Sequence, residues 1–327
     1  MTTSKTTSSN PWREIPKSSE RDALNTLKVA ADLNPNRKRT FWAKGAYDKP
    51  ALMVEYADST LTGSLPSFKS ISVRNSSSEH ALLIELQDAD MTGQFLNLCC
   101  DIVGAIQETP DDAIGKHCLQ RLEYWVQLLA PGRRALSPAA QKGLIAELLF
   151  FEQFPMKTFN EFDAVEGWVG PDGAKRDFAY GQTFVECKCK RGSSNTTVSI
   201  SSEEQLNTNS SERVFLYAIE LNSATDEDES AFTLGEVADR VVRSIESPLL
   251  SIKFQTKLAK AGYFVEDMPS YEAWSEGAEF AFEVKDGFPR ISTNSCMPGV
   301  TNVTYKLDLT YCSEFEVEPN VIMEALR

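Results

Sequence analysis

The sequence predicts a mixed α/β (α+β) chain built in two parts, and three observations carry that reading. Between Phe41 and Gln87 the apolar residues fall in short strand-like runs separated by turn residues. Residues 91–107 and 111–129 then carry apolar side chains at helical spacing. From Ser137 a strongly apolar helix leads into an alternating hairpin, Arg176 to Lys190, after which strands and helices are interspersed. At 327 residues the chain has room for about two domains. We read residues 1–20 as a disordered tail, 21–134 as an N-terminal α/β domain and 135–327 as a second domain with a strand-containing C-terminal extension.

Taken in order, Met1 to Asn10 is rich in Ser and Thr and has no apolar core, so it is not a secretory signal. Ser19-Glu20-Arg21-Asp22 caps a predicted first helix running to about Leu33, broken by Asn34-Pro35-Asn36. Strands follow at Ala51–Tyr56, Phe68–Val73 and Ala81–Gln87. In the first long helix Phe95, Leu98, Ile102 and Ile106 share a face; in the second, Leu122, Trp125, Val126 and Leu129 do so. Pro131-Gly132 ends that helix, and Ser137-Pro138 starts the next with a cap and a first-turn proline. This helix holds Leu144, Ile145, Leu148, Leu149, Phe150 and Phe151, with Glu147 inside the apolar run, and stops at Pro155. Gly167 to Gly173 reads as a strand end and turn, and Gly192 to Asn195 as another turn. Val198–Ile200 is a brief extended piece, and Ser202-x-x-Gln205 matches a capping box that would open a helix. Phe215–Ile219 is a strand, Leu234–Ile245 and Leu249–Ala261 are helices, and the tail carries strand candidates at Glu279–Val284, Gly299–Leu307 and Phe315–Glu318.

Composition narrows the function classes. No apolar run reaches the roughly 20 residues of a membrane-spanning helix. Seven cysteines, an odd number without a Cys-x-x-Cys pair, fit free thiols in a reducing cytoplasm better than disulfides or zinc. A net charge of −14 argues against non-specific coating of nucleic acid but leaves room for a local basic cleft, since charge is screened over about 10 Å. Lys175, Arg176, Lys188, Lys190 and Arg191 gather around the hairpin, while Asp226-Glu227-Asp228-Glu229 holds acid elsewhere. No Gly-x-Ser-x-Gly elbow and no phosphate loop ending Gly-Lys-Ser/Thr occurs, and His80 and His117 sit in fold contexts.

The hairpin carries the chemistry. Side chains alternate along a strand, so Phe184, Glu186, Lys188 and Lys190 share one face, and Val185, Cys187 and Cys189 face a core. Carboxylates beside a lysine suit a hard cation, with the lysine steadying charge or orienting water. Glu147, Asp177, Glu186, Lys188 and Gln205 form the candidate catalytic set; Asp177, Glu186, the backbone carbonyl of Cys187 and, through water, Glu147 are the candidate metal ligands. Asp163 and Asp172 are rivals for the role of Asp177. Lys175, Arg176, Lys190 and Arg191 are the candidate phosphate contacts. Each has a plainer reading: Glu147 as a paired rim residue, Gln205 as a cap, Lys190 and Arg191 as solvent charges.

A helix Glu, a strand Asp and Glu-x-Lys in this order resemble the PD-(D/E)XK phosphodiesterase superfamily, which includes restriction endonucleases. The chain is most similar to a bacterial family of unknown function described as belonging there. The likeness is carried by Arg121-Leu122 with Trp125, Gly143-Leu144-Ile145-Ala146-Glu147-Leu148, Trp168-x-Gly170-Pro171, Asp177-Phe178, Glu186-Cys187-Lys188, Glu204-Gln205-Leu206, Phe288-Pro289 and Tyr305-Lys306-Leu307-Asp308-Leu309. Arg176 stands where that pattern often has proline.

The resemblance implies a restriction-endonuclease-like core of mixed four-stranded sheet flanked by helices, use of Mg²⁺ or Mn²⁺, and hydrolysis of DNA in restriction or phage defence. The partners expected are DNA, a helicase, ATPase or methyltransferase of the same system, and a second copy as a homodimer. The competing reading is a catalytically silent nuclease-fold subunit of a defence assembly.

Overall fold

The structure, a computed structural model, describes residues 10–13, 15, 27–32, 40–57, 61, 64–76, 80–107, 109–130, 132–190, 192, 196–224 and 228–327. The chain divides into two units, Met1–Pro131 and Gly132–Arg327. Residues 1–9 of the expected tail, the Asn34-Pro35-Asn36 break, Arg191 and the first two residues of the acidic run lie outside the described residues. The disordered reading of 1–20 is corrected at 11–13: Pro11–Arg13 is a helical turn, and Trp12 is buried with its indole N–H donating to the Ala51 carbonyl at 2.8 Å.

The first unit is an antiparallel sheet with two helices. Its strands are β1 (Leu27–Asp32), β2 (Thr40–Lys44), β3 (Pro50–Glu55), β4 (Ile71–Ser76) and β5 (Ala81–Leu86), in spatial order β1-β2-β3-β5-β4. The helix expected to run to Leu33 is corrected here, because Leu27–Asp32 is a strand laddered on β2. Cross-strand pairing satisfies the backbone there and overrides local helix propensity. Helices α1 (Thr92–Ile106) and α2 (Ile114–Leu128) follow. Asp101 on α1 ties them together, accepting from Arg121 Nε and Nη2 at 2.5 and 2.7 Å and from Trp125 Nε1 at 2.7 Å. Those are the Arg121 and Trp125 singled out by the sequence, and their work is to clamp two helices.

The second unit begins with α3 (Pro138–Gln153), whose cap is Ser137 Oγ accepting from the Ala140 N–H at 3.3 Å. Pro155 does not simply end this segment: it opens a single turn, α4 (Pro155–Thr158), and α5 (Glu161–Gly167) follows. The sheet strands are β6 (Phe178–Tyr180), β7 (Thr183–Lys190), β9 (Arg213–Ser223), β10 (Phe232–Thr233), β11 (Ala273–Val284) and β13 (Glu316–Val317). β8 (Thr197–Ile200) and β12 (Tyr305–Asp308) form a separate antiparallel pair. Helices α6 (Leu234–Ser244), α7 (Pro248–Lys260) and α8 (Asn320–Leu326) complete the unit.

The main sheet runs β10-β11-β9-β7-β6, with β13 on β11; β7 and β9 are parallel and the other pairs antiparallel. This is a mixed sheet flanked by helices. It is covered on both faces, so β9 is buried almost throughout. Phe215, Tyr217, Ile219 and Leu221 point into the cluster built with α3, α6 and α7, while Val214, Leu216 and Ala218 point into a second cluster with β8 and β12. On β7, Val185 and Cys187 belong to the first cluster, as alternation predicts, but Phe184 packs against the second. The front of the hairpin is therefore a second core at its start and a polar cleft only beyond it.

Candidate metal-binding active site

Four segments bring the sequence-selected residues to one place. α3 supplies Glu147, the residue just before β6 supplies Asp177, β7 supplies Glu186, Cys187 and Lys188, and the turn after β8 supplies Gln205. All six line a single cleft of about 460 Å³, with Ala139, Lys142, Gly143, Cys189, Thr197, Ser199 and Lys306 as its other walls. On α3, Ala139, Gly143 and Glu147 recur every four residues and so form one stripe facing the cleft. A Cβ built on Gly143 meets nothing within 4 Å, so that stripe borders open space.

Each acid is held by a specific donor. Trp168 Nε1–H donates to Glu147 Oε2 at 2.8 Å. The Cys187 N–H donates to Asp177 Oδ2 at 2.7 Å. Lys188 Nζ donates to Glu186 Oε1 at 2.5 Å, in an ion pair whose acid is fully buried. The β6 ladder on β7 ends at Val185, so among the described residues no strand pairs that side of β7 from Glu186 onward. A strand residue's N–H and C=O lie on the same side, so the Cys187 carbonyl shares the open side where its N–H meets Asp177.

The turn before β6 fixes Asp177. The carbonyl of Asp177 accepts from the N–H groups of Val169 and Gly170 at 2.9 and 3.0 Å. A Cβ on Gly170 would lie 3.2 Å from both Asp177 Cα and Oδ1, so glycine permits this close approach. The Trp168 carbonyl accepts from Lys257 Nζ at 2.5 Å, and Asp172 accepts from Lys257 and Lys260 at 2.6 and 2.7 Å. The Trp168-x-Gly170-Pro171 motif thus positions two acids at once, a role that sequence reading noticed as a pattern but did not assign. The rivals of Asp177 lie elsewhere: Asp172 is paired with those lysines, and Asp163 lines a different cavity beside Tyr180 and Gln182.

Electrostatics set these acids apart. Burial raises the Glu147 carboxyl well above the usual range, and the Asp177 and Glu186 charges push it further against the Trp168 hydrogen bond. Burial also raises Asp177, opposed by Lys188 and the Cys187 N–H. Burial and the Asp177 charge push Glu186 up to about 8. Burial pulls the Lys188 ammonium down, but Glu186 and Asp177 outweigh it and leave its pKa raised.

Among the described residues no three His, Cys, Asp or Glu side chains meet as a ready-made metal cage. The donor set nevertheless fits a hard cation. The Asp177 charge disfavours ionisation of both Glu147 and Glu186 around one cleft, and Glu186 Oε2 is buried with no hydrogen-bond partner. An oxygen-seeking divalent ion answers both features, and Glu147, Asp177, Glu186 and the Cys187 carbonyl are the groups that would hold it.

Several expected residues do other work. No helix opens at Ser202; residues 203–206 form a turn. Ser202 Oγ accepts from the Glu204 N–H, and Gln205 Oε1 turns back to accept from the Ser201 N–H at 2.8 Å. Arg176 is buried: it donates to the Gln205 carbonyl at 3.0 Å and to the Asn207 carbonyl, pairs with Glu212 and lies over the Phe184 ring. Lys190 is likewise buried, 2.7 Å from Glu220 and above the Phe280 ring. Neither guanidinium nor ammonium is presented for phosphate contact, because distant acids that the sequence could not pair with them consume both. Lys175 is exposed but pairs with Glu204 at 2.5 Å and does not line the cleft. Lys142 and Lys306 do line it, and sequence reading passed over them as functional residues.

Among the described residues no helix is long and apolar enough to cross a membrane. A family model described as "Putative PD-(D/E)XK family member, (DUF4420)" matches residues 8–310. No curated protein and no solved structure matches the chain.

Proposed function

The chain belongs to this PD-(D/E)XK family, and from that premise we propose that it is a metal-dependent endonuclease hydrolysing phosphodiester bonds of DNA in bacterial restriction or phage defence. The observation that carries the reading is the meeting of Glu147, Asp177, Glu186, Lys188 and Gln205 on one cleft from four separate segments. Glu147, Asp177, Glu186 and the Cys187 carbonyl would hold Mg²⁺ or Mn²⁺. A bound divalent cation supplies polarisation of a phosphate oxygen and a more acidic water.

The chain's own residues then divide the remaining tasks. Lys188, held beside Glu186 at 2.5 Å, is a proton-bearing donor suited to the charge that builds on the phosphate oxygens. Gln205 lines the cleft with its Oε1 taken by the Ser201 N–H, so its amide Nε2–H would be the group that donates to a phosphate oxygen or an attacking water. The indole of Trp168 keeps Glu147 aimed into the cleft.

The test is cleavage of plasmid DNA with Mg²⁺ or Mn²⁺ by the native protein beside Glu186→Ala and Lys188→Ala. Cleavage by the native protein with loss in both variants is the expected result; equal cleavage by all three would sink the reading. A second reading, a silent nuclease-fold subunit working with a helicase, ATPase or methyltransferase, is favoured by the protein donor already seated on each acid. Metal binding by calorimetry separates the two, since the silent subunit takes up no cation.

A further inference from the structure

We infer that Lys142 and Lys306 grip one DNA strand from opposite walls of the cleft, on either side of the phosphate presented to the acids. This assignment rests on the endonuclease reading of the same site and names how its substrate is held.

The two lysines come from different elements. Lys142 stands on α3, five residues and about 7.5 Å of helix rise before Glu147. Its ammonium lies 5.4 Å from the centroid of the Trp274 ring, a cation–π contact that orders the head without an acid to neutralise it. Lys306 stands on β12 directly opposite Ser199 of β8, and both side chains line the cleft. Cross-strand neighbours share a sheet face, so Ser199 and Lys306 stand side by side on the cleft. Among the described residues neither lysine is in an ion pair, whereas Lys188 and Lys190 are each held by a glutamate.

Charge makes the pair selective. In a protein of net charge −14, long-range attraction to a polyanion is weak. Binding must come from the few cations that meet phosphates directly, and Arg176 and Lys190 are already consumed. The cleft wall formed by Ala139 and Gly143 carries no bulk that would keep a backbone away. Lys142, Lys306 and the Ser199 hydroxyl then supply sequence-independent contacts, which position the strand and do not read bases.

The experiment measures binding of a labelled mixed-sequence DNA duplex to the full chain in Ca²⁺, across a salt series, for native protein, Lys142→Gln, Lys306→Gln and the control Lys285→Gln. Lys285 is exposed and does not line the cleft. Each cleft variant is expected to bind several-fold more weakly, with the log–log salt slope less steep by about 0.9. Calorimetric Mn²⁺ affinity and the melting temperature should stay at the native values, and Lys285→Gln should match native protein throughout. Native-like salt slopes in both cleft variants, with DNA binding intact, overturn the lysine assignment alone. Absence of metal-dependent DNA binding by the native protein overturns the endonuclease reading and this assignment together.

Discussion

The indole N–H of Trp168 donates to Glu147 Oε2 at 2.8 Å, joining a fully buried tryptophan to an acid on the neighbouring helix. A second-layer donor of this kind fixes the direction in which a ligand presents its oxygens. Trp168→Phe keeps an aromatic ring in the core but removes the donor. Calorimetry should then find Mn²⁺ affinity lowered about 10–100-fold. Stability should fall by about 2 kcal/mol, from a lost buried hydrogen bond and the smaller ring. Unchanged affinity would separate Trp168 from the site.

Gly170 touches Asp177 more directly. Its missing Cβ leaves room for Asp177 Cα, which a methyl group would meet at 3.2 Å. Gly170→Ala must shift the Asp177 backbone by a few tenths of an ångström. A roughly tenfold loss of metal affinity is expected, with little change in melting temperature. A crystal structure of the variant with Asp177 undisplaced would contradict the account.

Arg176 looks like a nucleic-acid contact in sequence and is a strut in space. It joins the approach to β6 to carbonyls at Gln205 and Asn207 and to Glu212. Arg176→Ala leaves those acceptors buried or half-buried without a donor, at a cost of ~3 kcal/mol in chemical denaturation. The salt slope of DNA binding should not become less steep, because no phosphate contact has been removed.

A cation bound at this site would compete with protons for the same oxygens. The folded-state pKa of Glu186 is about 8, above the usual glutamate value of about 4.3. Between these limits the folded, metal-free form binds more protons than the unfolded chain. Its stability is therefore greatest below the unfolded pKa and declines as pH rises toward 8. Melting curves of metal-free protein should shift to lower temperature from pH 5 to pH 8. Adding Mn²⁺ should reverse the shift most strongly at the upper end, where fewer protons must be displaced. A flat profile without metal would show that Glu186 is not held in this protonated state.

Much of the second unit was legible because its signals are local. The Ser137-Pro138 cap, the apolar run after it and the hairpin turn at Gly181, whose φ is +58°, each lie within a few residues of what they determine. Strand alternation put Glu186 and Lys188 on one face, and Glu147, Asp177, Glu186, Lys188 and Gln205 do line one cleft. The failures are non-local. Arg176 and Lys190 are neutralised by Glu212 and Glu220, acids 36 and 30 residues away, which no reading of neighbours could pair with them. Leu27–Asp32 looked helical and became a strand because β2 offered it a ladder. The supposed capping box at Ser202 stayed a turn, because Gln205 turned back to the Ser201 N–H. The place of Lys306 on the cleft is not legible in sequence, since nothing there brings β12 beside β8.

That last pairing has a temporal side. The β6–β7 hairpin closes over a two-residue turn, whereas Ile200 of β8 finds Tyr305 of β12 only after about a hundred further residues. Loop closure of that length is slow, and during synthesis the later strand leaves the ribosome well after the earlier one. The nascent chain can therefore assemble its acidic hairpin while one cleft wall, with Lys306, is still missing. A polypeptide stalled before Tyr305 would carry the acids without that wall.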